Sequence, residues 1–296
     1  MATRKAATTN RKSTTARTTA RPTSRTKTVT RVKSVTEKPT VKQAKTVAAT
    51  SRVSRRSSLS EKLTDTRLLA GLIAEFVGTF LLAAVALHPQ LGSAPFVMLF
   101  AIMGIIVVLG PISGGYINPA MTIAGWVTRR LSGVRTLAYI VMQVLGALLA
   151  MMFLTMFMNQ QKPVDPMAAM YGGGGNIELA KVATAQGKEW FIFVAELVGT
   201  MIFALGVAAA TRGLTDRVTK GLSVGGALML AMIISGLGAL TLGGTVVFNP
   251  AVAAAMQAFN NATTMSIATY VAGTTIGAVL GFALYDMMAK AVRAER

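Results

Sequence analysis

Hydrophobic positions gather in six long runs, at about Leu68–Leu87, Ala94–Gly110, Ala138–Met158, Trp190–Ala210, Gly221–Gly243 and Ser266–Ala289. Each is near the length of about 20 residues that an α-helix needs to cross a bilayer. Two shorter apolar segments stand between them, Pro119–Thr128 and Pro250–Phe259. At about 1.5 Å per residue these reach only about half way across. The pattern predicts six spans and two half-spans.

Both half-spans open with the same tripeptide, Asn118-Pro119-Ala120 and Asn249-Pro250-Ala251. Asparagine is a favoured helix N-cap, and proline at the next position gives up only an N–H that has no partner inside the helix. Each motif therefore reads as a helix start deep inside apolar sequence. Unpaired backbone at that depth is tolerated only where it is buried in protein or lines a water-filled cavity.

The chain also repeats itself. Ala74-Glu75-Phe76-Val77-Gly78-Thr79 matches Ala195-Glu196-Leu197-Val198-Gly199-Thr200, an offset of 121. Asn118 matches Asn249, and Tyr139 through Gly146 aligns with Tyr270 through Gly277, each at an offset of 131. Each half, residues 68–158 and 190–289, holds three spans and one half-span. Three is odd, so the second copy enters from the opposite side of the membrane, as an inverted repeat. The two half-helices then point their N-termini, and the positive ends of their dipoles, at one place near the midplane. The expected fold is an all-α membrane protein with six transmembrane helices and two re-entrant half-helices.

Charge adds an orientation. Arg129, Arg130 and Arg135 follow the first half-span, Arg212, Arg217 and Lys220 separate spans four and five, and Lys290, Arg293 and Arg296 follow span six. The connections His88–Ser93 and Asn260–Met265 carry no Lys or Arg. The positive-inside rule places both termini in the cytoplasm; the expected location is the cell (inner or plasma) membrane, or an organelle membrane if the basic tail is a transit peptide. The net charge of +19 comes mostly from residues 1–67, which hold 18 Lys and Arg against 3 acids. That stretch has too few apolar residues to offset its chain entropy and is expected to be a disordered tail. It suits a solvated cytoplasmic tail, a partner for anionic lipid or nucleic acid, or an organelle transit peptide. Residues 290–296 form a short C-terminal tail. With no cysteine and a single histidine, His88, disulfides, thiol nucleophiles and Cys/His zinc sites are excluded. No metal or cofactor site and no catalytic constellation is read from the chain. His88, beside Pro89, reads as a solvated helix-end residue.

Taken together, the repeated glutamate segments, Ser113-Gly114-Gly115 before the first Asn-Pro-Ala, Gln143 in span three and the second Asn-Pro-Ala resemble the aquaporin (major intrinsic protein) family over about residues 68–289. The resemblance implies a homotetrameric channel for water and small neutral solutes. It makes Asn118 and Asn249 the midplane residues whose amides donate to passing water. A capping Asn can indeed accept with its oxygen while keeping N–H donors for a pore. It assigns Glu75 and Glu196 to holding the re-entrant loops through backbone N–H groups. Carboxylates in a membrane normally face the bundle interior.

The chain departs from the family at the outer constriction. Val252 stands directly after the second motif, where a water-selective member has arginine, and Ala253 follows, so the Arg-Asp pair of a glycerol facilitator is absent too. Counting from the motifs, Met98, Val246 and Leu237 are the other constriction positions. Tyr116 follows Ser-Gly-Gly where histidine is more usual. An apolar, wider mouth predicts passage of glycerol, urea or ammonia besides water. Two other functions fit the same pattern: a secondary transporter, which inverted repeats with broken helices also build, and a membrane anchor for the basic tail.

Overall fold

The computed structural model describes residues 65–158, 167, 178–183, 187–213, 216–260 and 263–294, and the disordered tail expected over residues 1–67 lies almost wholly outside them. Every element among the described residues is helical. The first half contains α1 (Thr66–Ala86), a single turn α2 (Pro89–Gly92), α3 (Pro95–Ser113), α4 (Pro119–Val127) and α5 (Gly133–Met158). The second contains α6 (Glu189–Arg212) and α7 (Arg217–Ala231), which runs on through a π-helical stretch, Met232–Gly236, into α8 (Leu237–Thr241). Then come α9 (Pro250–Ala255), α10 (Thr264–Ile267), a second π-helical stretch, Ala268–Gly273, and α11 (Thr274–Ala294). Six helices are long and apolar enough to cross a membrane, at the six places where the hydrophobic runs lie.

Helix ends follow local chemistry. The Asp65 side chain accepts from Arg67 N at 3.0 Å and caps α1, and Asp216 accepts from Thr219 N at 2.7 Å and caps α7. His88 caps α2, its Nδ1 accepting from Leu91 N at 3.3 Å, so it has a structural partner that its sequence position did not suggest. The second span continues past Gly110 and through Pro111 to Ser113, and stops where Gly114 takes φ +98°. The half-helix at Pro250 is shorter than the apolar segment and ends at Ala255. Gln257 sits at φ +63°, Ala258 N donates to Ala253 O and Gln257 N to Ala254 O, a Schellman closure made without glycine. The first half-helix ends in the same way, with Arg129 at φ +60°, Arg130 N bonded to Gly125 O and Arg129 N to Trp126 O.

Packing repeats the internal symmetry. Helix α1 lies against α5, and α6 against α11. A Cβ on Gly146 would fall 2.3 Å from Phe76 O, and one on Gly277 would fall 2.3 Å from Leu197 O. Both crossings are thus backbone-to-backbone contacts that only glycine admits, the small-residue packing that joins helices where lipid removes the hydrophobic drive. Gly281 meets Met201 O in the same manner at 2.5 Å. The half-helix α4 rests on α5 and α11, and α9 rests on α5 and α1. Outward-facing Phe96, Phe100, Leu137 and Trp190 are left exposed, an apolar belt suited to lipid or to another subunit rather than to water.

Candidate functional site

The two loops that lead into the half-helices are held from behind by buried carboxylates. Glu75, on α1, accepts from Tyr116 N at 3.1 Å and from Ile117 N at 2.6 Å. Glu196, on α6, accepts from Val247 N at 2.5 Å and from Phe248 N at 2.9 Å. Both glutamates are fully buried. Gln143 adds a third donor to Glu75 at 2.7 Å and also donates to Thr122 Oγ1 at 2.9 Å. Its counterpart by the repeat offset is Thr274, which instead donates to Tyr270 O at 2.9 Å, so Glu196 has the simpler support. Tyr139 donates to Ser113 O and Tyr270 to Thr245 O, each at 2.9 Å, pinning each loop a second time.

These bonds hold an unusual backbone. Ile117 and Phe248, the residues before each Asn, sit at φ +50° and +57°. For a β-branched or bulky residue that conformation costs about 1–3 kcal/mol. The turn points each N–H at its glutamate and each C=O at the other half. Asn118 Nδ2 donates to Phe248 O at 2.7 Å, and Asn249 Nδ2 donates to Ile117 O at 3.0 Å. Each Asn thereby bonds the strained carbonyl of the opposite repeat. The same side chains cap their own helices through oxygen, Asn118 Oδ1 accepting from Ala120 N at 2.9 Å and Asn249 Oδ1 from Ala251 N at 3.0 Å. Gly78 and Gly199 make room for the strained residues: a Cβ there would lie 3.0 Å from Ile117 Cδ1 and 2.1 Å from Phe248 Cε1. Pro119, Ala120, Ala251 and the two Asn are buried, and Pro250 is partly so.

Two cavities approach this junction and share no lining residue. One, of about 310 Å³, is bordered by Ser113 through Tyr116, Arg130, Arg135, Thr211 and Lys220, and so lies on the face where α1 begins and α11 ends. The other, of about 400 Å³, lies toward the opposite face and reaches Asn249. Met98, Val246 and Val252 all border it. Leu237 does not: it is 60% exposed and points away. Leu228, Met232, Gly236 and Leu240 form the stripe of span five that borders the cavity, and Leu237 is one position off it. The π-helical stretch Met232–Gly236 sets that phase, and a wide turn leaves no mark in the sequence. Met232, Gly236 and Phe203 border the cavity without having been marked by any motif.

The first cavity has a cationic rim. Arg130 donates through Nη2 to Asp286 at 2.6 Å, through Nη1 to Ala208 O at 2.9 Å and to Thr211, and lies over the Phe282 ring at 4.4 Å. Arg212 takes the other Asp286 oxygen at 3.0 Å and bonds Thr128 O at 3.1 Å. The end of α4 is thus tied to α6 and α11. Desolvation lowers the Arg130 pKa, against the raising effect of Asp286. Tyr116 borders the same cavity.

Comparison with known proteins agrees with this architecture. The profile of the family described as Major intrinsic protein matches residues 60–243, more than half of the 296-residue chain. The chain belongs to the major intrinsic protein family. Aquaporin Z of Photorhabdus laumondii is 28% identical over 234 residues, which cover 75% of this chain and 98% of that protein. A protein named Probable aquaporin AqpM, from Archaeoglobus fulgidus, is 34% identical over 201 residues, which cover 64% of this chain and 73% of the relative. Among solved structures, the X-ray structure of the aquaglyceroporin from Plasmodium falciparum matches with a TM-score of 0.56 at 16% identity, covering 77% of this chain and 100% of that one, and this likeness shows the fold. Membership in the major intrinsic protein family makes the chain a multi-pass membrane channel, and the expected all-α fold stands.

Proposed function

We propose that the chain is a passive channel for water and small neutral solutes such as glycerol, urea or ammonia, with cations turned back at Asn118 and Asn249. The crossed amides carry this reading. Each Nδ2 spends one hydrogen on the opposite loop, an amide carries a second hydrogen that a permeating molecule can accept, and Asn249 borders the outer cavity. Two helix N-termini converge at the same place, so a water there is oriented by positive ends on both sides, which opposes both a cation and a proton wire. Glu75 and Glu196 are the loop supports. Met98, Val246 and Val252 form the outer constriction, with Met232 and Gly236 as its span-five side. That ring offers no charge and no fixed side-chain donor, which favours a pore less strict for water. The relatives named aquaporin support water as one permeant. Basic loops support cytoplasmic termini, and family membership together with the exposed apolar belt supports a homotetramer. Stopped-flow light scattering of proteoliposomes with water, glycerol and urea in turn tests the reading. Non-saturable flux of all three with low activation energy is expected. Saturable, gradient-coupled flux, or flux equal to empty liposomes, refutes it.

A further inference from the structure

The outer cavity lacks the charge that an arginine after the second Asn-Pro-Ala would bring, yet it is not without charge. Lys181 borders it, and among the described residues that line this cavity it alone is ionisable. It comes from outside the helices, on the non-helical segment 178–183. That segment is fastened on both sides of the lysine. Ala180 N donates to Leu87 O at 2.7 Å, at the end of α1, and Val182 N donates to Met256 O at 3.0 Å, at the end of α9. Ala183 closes a further pair with Thr245, its N–H on Thr245 Oγ1 at 3.1 Å and its C=O accepting from Thr245 N at 3.0 Å. Thr245 precedes Val246 and begins the loop that carries Asn249. The backbone of Lys181 is therefore anchored to the same loop that forms the constriction.

We propose that Lys181 is a specificity-determining residue: its ammonium group supplies at the outer mouth the cation-repelling charge that Val252 cannot. The inference rests on the channel reading above and deepens it. An arginine inside a constriction acts through bulk, donors and charge together. A lysine one layer farther out contributes only charge, on a flexible stem that leaves the apolar ring open. The pore then screens solutes by charge without narrowing for size. Its nearest acid, Glu178, stands 3.8 Å away with both side chains well exposed, a loosely held pair in which the carboxylate offsets part of the lysine's field, so that substitutions at 181 read the lysine's own share. Because the lysine side chain is 58% exposed, its influence is that of a charge in water. A unit charge at about 6 Å in water changes the occupancy of a cation about threefold, and reversing it changes that about tenfold. The effect should fade as salt shortens the Debye length from about 10 Å at 0.1 M to about 3 Å at 1 M.

Urea and guanidinium test this, since they are nearly the same size and shape and differ in charge. Flux of each into proteoliposomes is measured for the full chain and for K181R, K181Q and K181E, with empty liposomes as background. K181R should keep the wild-type guanidinium-to-urea ratio. K181Q should raise it about threefold and K181E about tenfold at low salt, with urea flux within about twofold of wild type and both increases shrinking in 1 M impermeant salt. Guanidinium flux that stays at background in K181E would place exclusion at the midplane alone and overturn the assignment. So would equal changes in both fluxes, which would mark a steric effect. A wild-type protein that passes neither water nor urea would fail at the first measurement, before any variant, and would overturn the channel reading and this inference with it.

Discussion

Replacing Glu196 with Gln tests how the second re-entrant loop is held. The carboxylate accepts two backbone N–H groups, Val247 at 2.5 Å and Phe248 at 2.9 Å, and has no Gln partner of the kind that serves Glu75. An amide keeps one acceptor and turns an NH2 toward the other N–H. One bond to a charged acceptor is lost, and a buried backbone donor is left facing another donor, which costs about 1–3 kcal/mol. The loss falls where the chain is already strained, at Phe248 with φ +57°. For a domain of this size each kcal/mol lowers Tm by about 2–4 °C, so E196Q should melt roughly 2–12 °C below wild type. Glu196→Ala strands both donors and should melt lower still. Thermal unfolding followed by intrinsic fluorescence in detergent gives the Tm, and stopped-flow scattering gives the accompanying loss of water flux per molecule. A carboxyl group that carried its proton would present one donor and one acceptor, as the amide does. E196Q with unchanged Tm and unchanged flux would therefore refute an ionised, doubly accepting Glu196.

Val252→Arg should restore bulk, donors and charge at the outer ring, and so cut glycerol and urea flux more than water flux in proteoliposomes; equal loss of both would contradict the wide-mouth reading. Gly277→Ala puts a Cβ 2.3 Å from Leu197 O and should cost about 1–3 kcal/mol as α6 and α11 part, whereas Gly104→Ala, which meets nothing within 4 Å, should gain up to about 1 kcal/mol, and thermal melts of the pair should move in opposite directions. Asp286→Ala leaves Arg130, whose side chain is 5% exposed, and Arg212 without their carboxylate. The loss should be about 3 kcal/mol, at the lower end for stranding one partner of a buried pair, because Ala208 O and Thr211 still bind Arg130; a melt within 1 °C of wild type would show that the cluster does not hold the end of α4.

The sequence by itself determined the elements and their order. Six apolar runs of membrane length need no partner to be read, because a segment in lipid must satisfy its own backbone and so must be helical. The two Asn-Pro-Ala starts, the repeated glutamates and the odd number of spans per half imply inversion by arithmetic alone. What the sequence could not decide depends on partners far along the chain. Ile117 and Phe248 are poor candidates for positive φ, and they adopt it because carboxylates 42 and 52 residues away take their N–H groups while the opposite Asn takes their carbonyls. Arg129 and Gln257 close their half-helices in a conformation usually left to glycine, so no local signal marks those ends. Leu237 was misplaced because a π-helical turn alters the phase of a helix without any residue type that announces it. No motif or run of charge in the sequence marks Lys181. Only the hydrogen bonds from its neighbours to the ends of α1 and α9 bring it to the channel mouth, and such bonds are made by backbone atoms that every residue shares.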